Sequence, residues 1–434
     1  MFGHKSPPLE WLVSTMRSGS AKNALSSFAV FAAVLIFLLS SGRERGGFRI
    51  DEAHKVADTY FFHLLQTGDF ANPDWFRHIA DRTNPPVGKF LFGLSAWLHG
   101  STLPTDLSRR IEEPDGSLGQ RLRGDEREII PVLVAARRVS IIATALTAAV
   151  VFSAAAFVAG PAAGVAAVIL FVAHYLTLTY SATAIYDPLL TLFVALSMLP
   201  LLHLSRESSK RRLLVSSIVA GLVAAAAFQT RLSGLIGLAA LTSVFIARWL
   251  ITKRKELLQF VLVAIPVFVV VAAAVNPFYW SNPRAPGLQS NAVLPLRIVE
   301  RFSLQVAELS ELLSRQVGDQ EMLDAPGDKL RYAAEILLGD LTGMLTLLGW
   351  GIAAFFLVTG SSRQRVRAIA LLSWCILIIG LLTFWIPLAW PRYMLVAIPP
   401  FALGGAVGWG ELIRAGAGVG RGRPRSGRGD RNLE

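Results

Sequence analysis

Long apolar runs alternate with short polar breaks along this chain, and the run lengths set the architecture it predicts. The first run, "ALSSFAVFAAVLIFLLSS", is long enough to cross a bilayer as a helix. Runs of similar character recur, and their length and period predict about ten helices, at 24–41, 138–158, 162–178, 188–204, 213–228, 234–250, 260–275, 341–358, 368–387 and 394–413. The expected fold is therefore an all-α polytopic membrane bundle. Between Asp51 and Leu65, apolar or aromatic residues at Val56, Ala57, Tyr60, Phe61, Leu64 and Leu65 follow a helical period, which predicts a helix lying along the membrane interface.

The polar breaks orient the bundle. With the N-terminus inside, the inner loops are "GPAAG", "SRESSKRR", "TKRKE", "SSRQRVR" and the tail "RGRPRSGRGDRNLE", and four of these five are basic, as cytoplasmic loops are. The outer segments are then the loop 42–137, "YSATAIYD", "QTRLS", the loop 276–340 and "LAWPRY". This divides the chain into a cytoplasmic N-terminus (1–23), a transmembrane domain (24–413) and a basic, disordered cytoplasmic tail (414–434). The first run lacks an A-x-A pattern after it and reads as an uncleaved anchor. The expectation is a multi-pass protein of the plasma (inner) membrane with both termini in the cytoplasm.

Composition narrows the classes. With 53% hydrophobic and 17% charged residues, a soluble globular chain is excluded. The net charge of +12 is dispersed into loops and tail instead of gathered on one domain, so nucleic acid is not an expected partner. The single Cys375 lies inside an apolar run and rules out an intramolecular disulfide.

What remains is a set of charged residues at span edges on the outer face: Asp51, Glu52, Lys89, Arg137, Arg138, Asp187, Arg231 and Arg392. Any one of them reads equally as a snorkelling or capping residue. Taken together on one face, they suggest a polar pocket at the membrane boundary that holds an anionic group with Arg or Lys and works chemistry with carboxylates, which suits a lipid phosphate. In "NPPVGK" the double proline enforces an extended approach to a helix, and Gly88 permits close packing beside Lys89. The highly charged stretch 103–127 reads as a solvated insertion. Asp51, His54 and Asp58 fall at i, i+3 and i+7, a spacing compatible with a divalent cation, but such histidines usually sit in the polar boundary, and no metal or other cofactor is expected.

These residues resemble the membrane-embedded GT-C class glycosyltransferases that use polyprenyl-phosphate sugars, in particular protein mannosyltransferases and aminoarabinose transferases. Asp51-Glu52 after the first helix is similar to the class's acidic pair, and "NPPVGK" to its "HPPLGK" element, with Asn84 in place of the histidine. Further along, "AARRVS", "SATAIYDPLLTLFVAL", "QTRLSGL", "VNPFYWSNP" and "WPRYMLVAIPPFAL" resemble later elements in the same order. The resemblance implies transfer of a sugar from a polyprenyl-phosphate donor to a hydroxyl on a protein, lipid or wall glycan, with inversion. It implies Asp51 and Glu52 as the catalytic carboxylates, and Lys89, Arg138, Asp187, Arg231, Arg392 and Tyr393 around the phosphate. Tyr279 and Trp280 are candidate sugar contacts, or plain belt residues of the interface. The loop 276–340 is too short for an appended lumenal domain. The competing class is a transporter or flippase of a lipid-linked sugar or another anion; that class favours internal repeats and mid-bilayer polar groups, and neither is visible here.

Overall fold

In the computed structural model, residues 20–46, 50–76, 85–101, 126–200, 210–252, 255–280, 299–305, 307, 323, 325–359, 362–385 and 389–419 are described. The expected insertion at 103–127 falls almost wholly outside them, as do Asn84, the basic end of the tail and most of the N-terminus. The side chain of Asp51 is also outside the described set.

Among the described residues, each predicted run is helical over most of its length. The helices are α1 (Ser20–Ser40), α2 (Ile50–Ala57), α3 (Tyr60–Thr67), α4 (Pro86–Leu98), α5 (Glu126–Ala159), α6 (Pro161–Ala173), α7 (Tyr175–Tyr180), α8 (Asp187–Leu196), α9 (Lys210–Phe228), α10 (Leu235–Thr252), α11 (Lys255–Val275), α12 (Pro326–Leu338), α13 (Leu341–Thr359), α14 (Ser362–Trp385) and α15 (Ile398–Val419). The expectation of about ten spans is met in part. Among the described residues, six helices are long and apolar enough to cross a membrane, and four further apolar helices are shorter, at Pro161–Ala173, Asp187–Leu196, Leu213–Phe228 and Leu232–Ala247. The run 162–178 breaks at His174, whose extended backbone ends α6 and whose Nδ1 accepts from the Leu176 amide to start α7. The run 188–204 stops as a regular helix at Leu196, where Ser197 Oγ turns back to the Val194 carbonyl.

The interfacial helix is also divided. Asp58 and Thr59 form a turn between α2 and α3, with the Thr59 hydroxyl donating to the Val56 carbonyl at 2.6 Å. The periodic apolar face survives the break: Val56, Ala57, Phe61 and Leu64 are buried. The last helix runs on to Val419, past the expected end at 413.

Burial orders the bundle. The α15 span is 78% buried and the α1 span 11%, so α15 lies at the centre and α1 at the rim, packed on α5. Large apolar side chains such as Leu25, Phe28, Ile36, Phe355 and Val358 face outward, as surfaces in contact with lipid do. The tightest helix contact is between α13 and α15, where Gly349 and Gly405 meet backbone to backbone and Trp350 Nε1 donates to the Phe401 carbonyl at 2.9 Å. Helix reversals bring the start of α5, the α7–α8 turn, the α9–α10 turn, the segment after α11 and the 391–397 turn to one end of the bundle, together with α2 and α3.

Candidate functional site

Three ion clusters occupy that end. The first is fully enclosed. Glu52, in the first turn of α2, receives Arg137 Nε at 2.7 Å on Oε1 and Arg137 Nη2 at 2.5 Å on Oε2, while the Ala184 amide donates to Oε1 at 2.7 Å. Arg137 Nη1 spends its protons on the carbonyls of Glu44 and Gly46, at 2.9 and 2.6 Å. A planar guanidinium facing a carboxylate in this way fixes both position and orientation. The pair ties α2, α5, the turn after α1 and the turn before α8 into one unit.

The second cluster surrounds Asp58. Lys89 Nζ stands 3.3 Å from Oδ1, Lys55 Nζ 3.2 Å from Oδ2, and the Tyr186 hydroxyl donates to Oδ2 at 2.5 Å. Burial alone would raise the Asp58 carboxyl, but Lys55, Lys89 and the bonds from Tyr186 and Lys55 outweigh it and hold the group at about 2. Burial, with the charges of Lys89 and Arg231, pushes the Lys55 ammonium below its usual range against the pull of Asp58. The close approach expected at Gly88 is to the Tyr186 ring: a methyl there would fall inside the ring's contact distance. Pro85 is extended and Pro86 opens α4, so "NPPVGK" delivers Lys89 to Asp58 one turn into that helix.

The third cluster is Asp187 with Arg231. Their side chains form a short ion pair, and the Arg231 guanidinium lies 4.9 Å from the centre of the Tyr393 ring. Arg392 stacks on Trp390 at 4.5 Å and reaches Tyr393 at 5.6 Å. Arg138, half-buried on α5 beside the paired Arg137, makes no hydrogen bond or ion pair among the described residues.

The geometry thus brings Glu52, Lys89, Asp187, Arg231, Arg392 and Tyr393 to one end, with Arg138 alongside and the backbone of Asp51 beside Glu52. The aromatic candidates stand in an adjoining apolar cluster: Tyr279 is buried with its hydroxyl donating to Gln305 Oε1 at 2.7 Å, and Trp280 packs edge-on against Phe70 with Nε1 on the Ala273 carbonyl. Sequence reasoning passed over Lys55, Tyr186 and the pairing of Arg137. The available signals were positional: Lys55 is one helical turn from Asp51, and Tyr186 immediately precedes Asp187. For a metal, the described residues contain no group of three or more His, Cys, Asp or Glu, and both oxygens of Asp58 face ammonium groups.

No protein-family model matches the chain, and no curated protein matches it. Solved structures do. The chain is similar to ArnT from Cupriavidus metallidurans bound to undecaprenyl phosphate, at a TM-score of 0.54 and 15% identity over 91% of this chain and 63% of that one. Against the same protein in the apo state the values are 0.53 and 15%, over 93% of this chain and 64% of that one. The chain spans less than two thirds of the length of ArnT. At this identity the likeness establishes the fold alone: the chain is an all-α polytopic membrane protein with the transmembrane fold of ArnT, as the resemblance to the GT-C class implied.

Proposed function

We propose that the chain is a membrane glycosyltransferase that moves a sugar from a polyprenyl-phosphate donor to a hydroxyl acceptor at the outer face of the membrane, with inversion. One observation carries the reading. At a single end of the bundle the described residues gather Lys55, Lys89, Arg137, Arg138, Arg231 and Arg392 with the carboxylates of Glu52, Asp58 and Asp187. Arginines and lysines gathered in this way at the membrane boundary suit an anionic headgroup on a lipid tail. The fold it shares with ArnT, which has been solved bound to undecaprenyl phosphate, supports the same class of donor.

In this reading Arg138, Arg231 and Arg392 meet the phosphate, and Lys89 adds its field from within the wall. A lipid phosphate is a competent leaving group once its charge is met, so the remaining work is activation of the acceptor. Asp51 takes the proton of the acceptor hydroxyl, the acceptor oxygen bonds to the anomeric carbon, and the bond from that carbon to the phosphate oxygen breaks to release the lipid phosphate. Glu52 carries no proton in this scheme: it positions Asp51 by holding α2 on Arg137. Tyr279 and Trp280 border the acceptor side.

The test is Asp51→Asn in the purified chain supplied with a radiolabelled polyprenyl-phosphate sugar and membrane acceptors. Transfer is expected to collapse while donor binding persists. Undiminished transfer by the variant removes Asp51 as the base. Movement of the lipid-linked sugar across vesicles without any transfer replaces the enzyme reading with a transporter.

A further inference from the structure

Two buried hydroxyls, both at α7, break a pattern that the rest of the described residues keep. Every other buried serine or threonine among them donates to a backbone carbonyl, mostly one helical turn back, as Thr144 does to Ser140 at 2.9 Å and Thr191 to Asp187 at 2.7 Å. Thr177 and Ser181, each 1% exposed, have no hydrogen-bond partner for the side-chain oxygen. For Thr177 the cause is local: the carbonyl four residues back belongs to Ala173, and the extended His174, at ψ 132°, turns the chain between them. Four residues apart, the two oxygens stand on one side of α7 and its C-terminal cap. A third unpartnered hydroxyl, that of Tyr332 on α12, lies within electrostatic reach of Tyr175 and Tyr180 on α7. The 391–397 turn, which carries Arg392 and Tyr393, packs on both α7 and α12.

We infer that α7 and Tyr332 form a carbohydrate subsite, in which the hydroxyls of Thr177, Ser181 and Tyr332 bond to the hydroxyls of a sugar ring. The inference rests on the transferase reading above and adds the place where a sugar is recognised. A buried hydroxyl without a partner destabilises the fold, and a helical Ser or Thr escapes that cost by bonding to its own backbone, as the other buried ones here do. Three such oxygens in one place are a surface suited to a ligand that brings its own donors and acceptors. The chemistry of the surface selects a neutral ligand. Asp340, the carboxylate that acts on Tyr175, is already engaged: its oxygens accept from the Tyr175 and Gly343 amides at 2.9 and 2.7 Å. Hydroxyls and the half-buried rings of Tyr175, Tyr180 and Tyr332 are then what is offered, and a sugar presents hydroxyls at its rim and C–H groups on its face. The three oxygens are covered in this structure, so a sugar reaches them as α7, α12 and the 391–397 turn part. The hydrogen bonds it then makes are absent from the closed form, and that difference favours the opening.

The experiment uses the full chain in detergent with a radiolabelled polyprenyl-phosphate sugar and membrane acceptors, and undecaprenyl phosphate as a probe without sugar. The double variant Thr177→Val/Ser181→Ala is expected to melt no lower than the unaltered chain, since it loses no hydrogen bond, and to transfer with kcat/KM reduced about tenfold or more. Its affinity for undecaprenyl phosphate is expected to stay within about twofold. Tyr332→Phe removes one oxygen from a different helix and is expected to act in the same direction. A raised KM for the labelled donor places the donor's sugar in the subsite, and a raised KM for the acceptor places an acceptor glycan there. Transfer by both variants within about twofold of the unaltered chain, a lowered melting temperature of the double variant, or an equal loss of undecaprenyl phosphate binding overturns the subsite and leaves the transferase reading standing. Absence of transfer by the unaltered chain refutes the transferase reading, and the subsite with it.

Discussion

Replacing Arg137 by Met tests whether the buried pair is the frame of the site. Glu52 has no exposed surface and Arg137 2%, so the substitution leaves a carboxylate without its counter-charge inside the protein and removes the donors to the Glu44 and Gly46 carbonyls. Breaking a buried pair from one side costs about 3–5 kcal/mol. At ~2 cal/mol/K of unfolding entropy per residue, a chain of 434 residues loses about 3–5 °C of melting temperature for that cost. Glu52→Gln also leaves a buried charge, that of Arg137, without its partner, and is expected to cost about the same 3–5 kcal/mol, although its carbonyl oxygen still accepts from the Ala184 amide. The double variant Arg137→Met/Glu52→Leu removes both charges and is expected to melt no lower than Arg137→Met alone, the sign of an uncompensated charge and not of lost packing. The assay is thermal unfolding of the purified chain in one detergent at one scan rate. Melting of Arg137→Met within about 1 °C of the parent, or strictly additive losses in the double variant, refutes the argument.

Two further outcomes follow from the geometry. The Asp58 carboxyl is held at about 2, below its ordinary 3.8, so its ion pairs contribute stability that is complete above the ordinary value and lost as pH falls toward the lowered one. Melting temperature is therefore expected to owe nothing to Asp58 titration between about pH 5 and 8 and to drop below about pH 4, and Asp58→Asn should flatten that acid limb. Gly408 packs on the Gly349 carbonyl and the Ala353 amide, so Gly408→Ala is expected to cost about 1–3 kcal/mol, whereas Gly351→Ala, which meets open space, should leave the melting temperature unchanged.

Periodicity carried the helices because each run had to be apolar all along its length to sit in lipid or core, a property that one sequence displays directly. Helix length was less legible than helix position, because an apolar run and a regular helix of spanning length are different things: His174 and Ser197 end helices inside runs that remain apolar around them. For the site, location was legible and pairing was not. Charge at span edges identified the end of the bundle that holds Glu52, Lys89, Asp187, Arg231 and Arg392. That Arg137, and not its neighbour Arg138, turns toward Glu52 depends on a rotation of about 100° between consecutive helix positions, which the letters leave open until α2 is docked on α5. Lys55 was hidden for a similar reason, since a lysine in an amphipathic helix reads as solvated until its face is known to be covered.

One short turn joins the three ion clusters at this end. Between Ala184 and Asp187, the backbone amide of Ala184 meets Glu52, the hydroxyl of Tyr186 meets Asp58 and the carboxylate of Asp187 meets Arg231. Those partners come from α2, the adjoining α2–α3 turn and the distant α9–α10 turn, so four consecutive positions set the spacing among the three ion clusters. Hydrogen bonds weaken steeply beyond about 3.2 Å, so the turn tolerates only small shifts before at least one cluster loses its partner. Among the described residues, two of the three clusters are one-to-one pairs and the third sets two lysines on one carboxylate. A substitution that shifts the Ala184–Asp187 turn therefore disturbs all three clusters at once.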